Sequence, residues 1–217
     1  MTRLAVFDLD GTLVDSAPDI HAALDRLALA RGLAPFTRAE VVAMIGDGVR
    51  VLVDRALAAR GQSFNTAALN SFTADYTAHA VEQTLLFAGM AEALAALEAA
   101  DWRLAICTNK PGAATAVLLD RLGLAGRFAA VGAGDSFPVK KPNPEHLRAT
   151  IAAAGSRRER AVMIGDHRND MMAALGLGVP AVFVRWGYGA PAMAEGASGE
   201  ATVAAELPGL LHGLLPA

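Results

Sequence analysis

Asp8 and Asp10 stand in the string Asp8-Leu9-Asp10-Gly11-Thr12-Leu13-Val14-Asp15-Ser16, directly after the apolar run Leu4–Phe7. Like charges at that spacing destabilise one another. A divalent cation relieves the repulsion, and hard oxygen donors favour magnesium. Gly11 lets the backbone turn away while both carboxylates stay at the end of the apolar run. Three further groups follow other apolar runs. Thr108 and Asn109 offer a hydroxyl and an amide to phosphate oxygens. Lys141 precedes Pro142 and Pro144, so its backbone is extended and its ammonium can be aimed. Gly165-Asp166-His167-Arg168-Asn169-Asp170 brings two more carboxylates. Each piece alone also fits a plain turn or helix start. In an open parallel sheet, however, ligands sit beyond the carboxyl ends of the strands, and all four groups fall there.

The elements that must place these groups are short. Leu4–Phe7, Leu104–Cys107, Ala129–Val131, Ala161–Ile164 and Ala181–Val184 have the length of buried strands. Helical spacing fills the gaps: Ala91–Ala100, Ala113–Leu122 closed by Gly123, and Glu145–Ala154 closed by Gly155. Strands alternating with helices predict an α/β fold, a doubly wound, Rossmann-like parallel sheet covered on both faces. Residues 16–81 break the alternation. Ser16 with Asp19 resembles a capping signal and Pro18 suits a first turn. Helical spacing then recurs in Ile20–Leu27, Val49–Leu57 and about Thr66–Val81. The expected organisation is a core of residues 1–15 and 82–217 with a small helical cap, residues 16–81, inserted after the first strand.

Composition narrows the class. Of 217 residues, 53% are hydrophobic and 19% charged, which excludes a disordered chain. The uncharged stretch Met171–Val184 is interrupted by Gly176, Gly178 and Pro180 and falls short of the about 20 apolar residues of a spanning helix. Asp8 and Asp10 break the N-terminal apolar run too early for a signal peptide, and one cysteine builds no disulfide framework. A cytoplasmic protein without a membrane partner is expected. A net charge of −3 gives no basic footprint for nucleic acid.

The sequence resembles the haloacid dehalogenase-like superfamily, in particular its phosphoglycolate phosphatase group. The resembling strings are Asp8–Ser16, Cys107-Thr108-Asn109-Lys110-Pro111, Lys141-Pro142-Asn143-Pro144 and Gly165–Asp170, with Ile45-Gly46-Asp47-Gly48-Val49-Arg50 and Arg185-Trp186-Gly187-Tyr188-Gly189 in support. The resemblance implies that Asp8 attacks phosphorus to form an aspartyl-phosphate. Asp10 then serves as acid and base. Magnesium sits on Asp8, the Asp10 carbonyl and Asp166, and Thr108 and Lys141 bind phosphate oxygens. Lys141 rather than Lys140 matches the motif, because proline follows it, and Asp170 orients Lys141 or a metal-bound water. The implied substrate is a small phosphorylated metabolite, best 2-phosphoglycolate, taken by a monomer or homodimer. The chain departs from the family where Asp47 replaces a frequent Asn, His167 a Ser or Thr, and Ala133 a Gly.

In the cap, Gly46-Asp47-Gly48 precedes a helix and could offer N–H groups to a substrate carboxylate, while the extra Asp47 charge should repel anions. Arg50 and Arg55 are candidates for specificity, weighed against solvated helix charges. Cys107 reads as a core residue. The five histidines lack metal-ligand spacing and read as surface or packing residues, with lining of the site an alternative for His167 alone. Trp186 and Tyr188 read as packing at the core edge. Other readings on the same scaffold are a phosphosugar phosphatase, a phosphosugar mutase, a dehalogenase (for which Asp10 would have no use) and a noncatalytic phosphate- or metal-binding protein.

Overall fold

The computed structural model describes residues 2–216. In chain order the elements are β1 (Arg3–Phe7), β2 (Val14–Asp15), α1 (Ala17–Leu29), α2 (Arg38–Met44), α3 (Val49–Ala58), α4 (Thr66–Ala78), β3 (Leu85–Leu86), α5 (Met90–Ala99), β4 (Trp102–Cys107), α6 (Gly112–Arg121), β5 (Val131–Gly132), α7 (Pro144–Ala153), β6 (Ala161–Gly165), α8 (Arg168–Leu177), β7 (Ala181–Val184), β8 (Gly199–Ala201) and α9 (Leu207–Leu214). Six strands form one sheet in the order β5-β4-β1-β6-β7-β8, and every neighbouring pair is parallel.

Strands buried on both faces need apolar residues at every position. In β1 alternate side chains accordingly serve two cores. Ala5 and Phe7 face Leu94, Leu97, Leu118, Leu207 and Leu211. Leu4 and Val6 face the other layer, with Leu147, Ile151, Met171 and Leu177. Each fully buried Leu or Phe contributes about 1.5–3 kcal/mol. Cys107 belongs to the second core, and burial pushes its thiol up to about 12, as its apolar reading requires. The doubly wound α/β expectation therefore holds.

Helices α1–α4 share a core of their own, built on Leu24, Val53, Leu57, Phe72 and Tyr76. They are bracketed by the small antiparallel pair β2–β3, with Val14 opposite Leu86 and Asp15 opposite Leu85. Asp19, read as part of a capping signal, does something else. Its buried carboxylate accepts the N–H groups of Glu82, Gln83 and Thr84 and the Thr84 hydroxyl, tying the outgoing chain segment to the incoming one. Ser16 does flank α1, but its hydroxyl donates to Asp10 at 2.6 Å and caps nothing.

Several elements differ from expectation. Helix α2 adds to the three expected cap helices, and Thr37 and Glu40 form the capping box that starts it. The third expected cap helix stops at Ala78, short of Val81. Helices α8 and α9 and edge strand β8 carried too little periodicity to be read, and the Ala129–Val131 strand lies at Val131–Gly132. Among the described residues no helix is long and apolar enough to cross a membrane.

Candidate active site

β1 lies in the middle of the sheet with β4 on one side and β6 on the other, the point where chain direction across the sheet reverses and ligands bind. Asp8 follows β1, Thr108 follows β4 and Asp166 follows β6. Asp8 Oδ1 accepts the Leu9 N–H at 2.7 Å and pairs with Lys141 Nζ at 2.9 Å. Its Oδ2 has no hydrogen-bond partner among the described residues. A carboxylate pinned by one oxygen presents the other with its lone pairs free. Gly11 turns the chain at φ +82°, and a Cβ there would strike the Asp166 carboxylate, so the turn requires glycine.

Lys141 is almost fully buried between two acids, 2.6 Å from Asp170 Oδ1 and 2.9 Å from Asp8. Burial works against its charge, but the attraction of Asp170 and Asp8 outweighs burial and raises its pKa. Burial raises the Asp170 carboxyl, and the attraction of that ammonium offsets the rise only in part. Lys141 is aimed by His146, whose Nδ1 accepts the Lys141 N–H at 3.1 Å and whose Nε2 donates to the Ala133 carbonyl. Burial, then the Lys141 charge, lowers the His146 pKa to about 4, so the ring is neutral and this tautomer stands. The neighbouring Lys140 turns the other way and donates to the Asp47 carbonyl at 2.5 Å. The Lys141–Pro142 peptide bond is cis.

Asp8, Asp166 and Asp170 each bring a carboxylate oxygen within 4.8 Å of the others. Asp166 accepts the Thr12 hydroxyl on Oδ1 and the Tyr188 and Gly189 N–H groups on Oδ2. Burial, reinforced by the Asp8 charge, still pushes its carboxyl up to about 7. Three buried acids against one ammonium make an all-oxygen donor set in which ionised carboxylates repel one another. A hard divalent cation fits that set. Asp10 stands outside it. Its Oδ1 accepts the Ser16 hydroxyl and pairs with Lys110 Nζ at 2.8 Å.

A cavity of about 60 Å³ separates this edge from the helical insertion. Asp8, Asp10, Thr108, Asn109 and Lys110 form its floor, and Ile20, Ile45, Gly46, Val49, Leu52, Phe72 and Tyr76 its walls and roof. The sequence offers the Asn109 amide to phosphate, but in the fold it donates instead to the carbonyls of Gly46 and Lys141. What remains is a buried, unpartnered Oδ1, an acceptor that phosphate oxygens would repel.

The cap loop also differs from expectation. Gly46 presents its carbonyl, not its N–H, to the core, where Asn109 and Asn169 donate to it. Its φ is +118°, and a Cβ would press on the His167 ring, which is how that buried ring touches the cap. The Asp47 carboxylate does not face substrate: Oδ2 accepts Arg55 Nη2 at 2.6 Å and Oδ1 accepts Asn169 Nδ2 at 2.7 Å. Arg50 stacks on Phe64, 4.4 Å from the ring centroid, and does not line the cavity. Arg55 is engaged by Asp47 and the Met44 carbonyl.

Two side chains bonded to the site residues carry no such reading in the sequence. Lys110 lay in a quoted motif without an assigned role, and its pairing with Asp10 and Tyr76 depends on distant chain segments. Tyr188 was read as packing. Its hydroxyl donates to Asp15 and accepts the Ala17 N–H, while its own N–H holds Asp166. Trp186 likewise donates to the Thr12 carbonyl, so this loop fastens the Asp8–Ser16 segment.

A buried carboxylate at the tip of the central strand, a lysine between two acids and a helical roof define a hydrolase site of one recognisable class. The family model described as haloacid dehalogenase-like hydrolase matches residues 5–184, and the chain belongs to that family. Within it the chain is an enzyme of the phosphoric monoester hydrolase class, similar to phosphoglycolate phosphatases. It is 39% identical over 192 residues to the phosphoglycolate phosphatase of Agrobacterium fabrum, covering 87% of this chain and 82% of that protein. Against the phosphoglycolate phosphatase of Cereibacter sphaeroides the identity is 43% over 187 residues, covering 84% and 85%. A protein described as a predicted phosphoglycolate phosphatase from Haemophilus somnus superposes with a TM-score of 0.89 at 26% identity, covering 96% and 97% of the two chains.

Proposed function

We propose that the protein hydrolyses small phosphomonoesters, 2-phosphoglycolate foremost, to phosphate and the free alcohol, glycolate in that case. The observation that carries this reading is the Asp8 carboxylate, held at one oxygen by Leu9 and Lys141 and unpartnered at the other, on the floor of the cavity. Asp8 Oδ2 attacks phosphorus and the ester oxygen departs, leaving the phosphoryl group on the carboxylate. Asp10 supplies a proton to that oxygen and later removes one from the water that hydrolyses the acyl phosphate. The Thr108 hydroxyl and Lys141 ammonium bind the phosphoryl oxygens, where charge accumulates. Asp170 keeps Lys141 in place. Asp8, Asp166 and the Asp10 carbonyl would hold Mg2+, which when bound supplies positive charge between two anions that otherwise repel. Residues 16–81 act as a cap that keeps bulk water from the reacting atoms. The names of the relatives support the choice of substrate.

The test is hydrolysis of p-nitrophenyl phosphate and a panel of phosphorylated metabolites with Mg2+, with and without chelator. The wild type should be metal-dependent and prefer 2-phosphoglycolate, and Asp8→Asn should lose at least about 1,000-fold in kcat. Full activity of that variant would remove the nucleophile assignment.

A further inference from the structure

Lys110 is the one cationic side chain among the described residues that line the cavity. It is buried, and the cap side chains that line the cavity with it are mostly apolar, Ile45, Val49, Leu52 and Phe72 beside Thr73 and Thr77. An ammonium has three donors. One goes to Asp10 Oδ1 at 2.8 Å and one to the Tyr76 hydroxyl oxygen at 2.5 Å, leaving the third without an acceptor among the described residues. Tyr76 accepts from Lys110, so its own O–H also lacks an acceptor among the described residues. Burial pushes that phenol up to about 12, so it keeps its proton. Two unsatisfied donors, one of them charged, thus meet in a mostly apolar pocket beside Asp10. Donors buried in such surroundings are costly unless a ligand accepts from them. Asp10 has a second anchor in Ser16, so Lys110 can engage a ligand without releasing that carboxylate.

We infer that Lys110 and the Tyr76 hydroxyl form a subsite for an anionic group on the leaving portion of the substrate, a carboxylate carried close to the ester oxygen. This rests on the phosphomonoesterase reading and on Asp10 serving the ester oxygen. Lys110 lies one hydrogen bond from Asp10, so whatever is attached to that oxygen comes within its reach. A carboxylate one carbon further on accepts from both donors, whereas a neutral hydroxymethyl group offers weaker acceptors and no charge. The subsite is assembled from both parts of the chain, Lys110 from the loop after β4 and Tyr76 from α4. The cap therefore contributes to selectivity through Tyr76 rather than through Arg50.

The experiment compares 2-phosphoglycolate with its neutral counterpart, 2-hydroxyethyl phosphate, in the Mg2+-loaded full chain. The readout is the ratio of the two kcat/KM values, which cancels any general loss of Asp10 support. The wild type should favour the carboxylate ester. Lys110→Met should lower the ratio by roughly 10- to 100-fold, as loss of a charge-assisted hydrogen bond converts. Tyr76→Phe, which keeps the ring, should lower it by about 3- to 10-fold. For both variants the change should lie mainly in KM for 2-phosphoglycolate. An unchanged ratio in both variants, whatever their absolute activities, overturns the inference, as does a wild type that prefers the neutral ester. A wild type that cleaves neither ester overturns the phosphatase reading itself, a result distinct from an active enzyme with an unmoved ratio.

Discussion

Asn169 Nδ2 donates to Asp47 Oδ1 across 2.7 Å. The bond joins the first turn of α8, at the carboxyl edge of the sheet, to the loop before α3. Read from sequence alone, Asp47 is a negative charge free to repel an anionic substrate. In the folded chain Arg55 neutralises it and Asn169 fixes it, its pKa is lowered by those partners against its burial, and the loop is latched by the contacts at Gly46 and Lys140.

The latch has a kinetic signature. Asn169→Ala should raise KM for 2-phosphoglycolate by about 3- to 10-fold while kcat changes less than about 3-fold, because the bond positions the cap and touches no reacting atom. Asp47→Ala should do the same. The double variant should fall short of the sum of the single effects by about 1 kcal/mol, since both remove one interaction. Steady-state kinetics on the three variants measure this, and strict additivity would show that the two side chains act independently.

Asp166 couples metal binding to protons. In the metal-free protein its carboxyl is raised to about 7 by burial and by Asp8, so a cation that binds there below that pH must displace a proton. Apparent Mg2+ affinity should be level above about pH 7 and fall up to about tenfold per pH unit below it. The stability of the metal-free protein carries the opposite trend. A raised carboxyl favours the fold while protonated, so this contribution is complete below about pH 4 and is lost as pH rises through about 7. Calorimetric titration with Mg2+ and thermal melting of the chelated protein between pH 5 and 8 report the two effects, and a pH-independent affinity would contradict the first.

His146 is a positioning residue for Lys141. His146→Ala removes the partner of two buried backbone groups and should destabilise the protein by about 2–4 kcal/mol. It should also lower kcat by releasing the Lys141 backbone. His146→Gln can restore one of the two bonds and should recover part of both losses. The imidazole is held neutral to about pH 4, below its ordinary value near 6.5. Its contribution is therefore present above about pH 6.5 and is lost as pH falls toward 4. Denaturant melts at pH 7.5 and 4.5 should show the gap between wild type and His146→Ala narrowing at the lower pH.

The order of the reactive groups along the chain was legible because it rests on local patterns. Short apolar runs mark strands whether or not their neighbours are known, and a polar residue at the end of such a run must lie at a sheet edge. That reasoning brings Asp8, Thr108 and Asp166 to one edge, while the choice of Lys141 over Lys140 is what the family resemblance implies. Helix α2 was equally available through Thr37 and Glu40. The three-residue strand β8 was not, since its one fully buried side chain is Ala201 and its pairing partner β7 lies elsewhere in the sequence.

The amino-acid sequence by itself determined the parallel sheet, the inserted helices and the edge on which the carboxylates gather. Those depend on periodicity and turn chemistry within a few residues. Which charges remain available for chemistry was decided only by the tertiary structure. Lys110 pairs with Asp10 across 100 positions, Asn169 meets Asp47 across 122, and Asn109 reaches Gly46 across 63. A side chain's charge is local, but its electrostatic partner is chosen by packing. The same aspartate repels an anion when alone and fastens a loop when an arginine and an amide are brought against it.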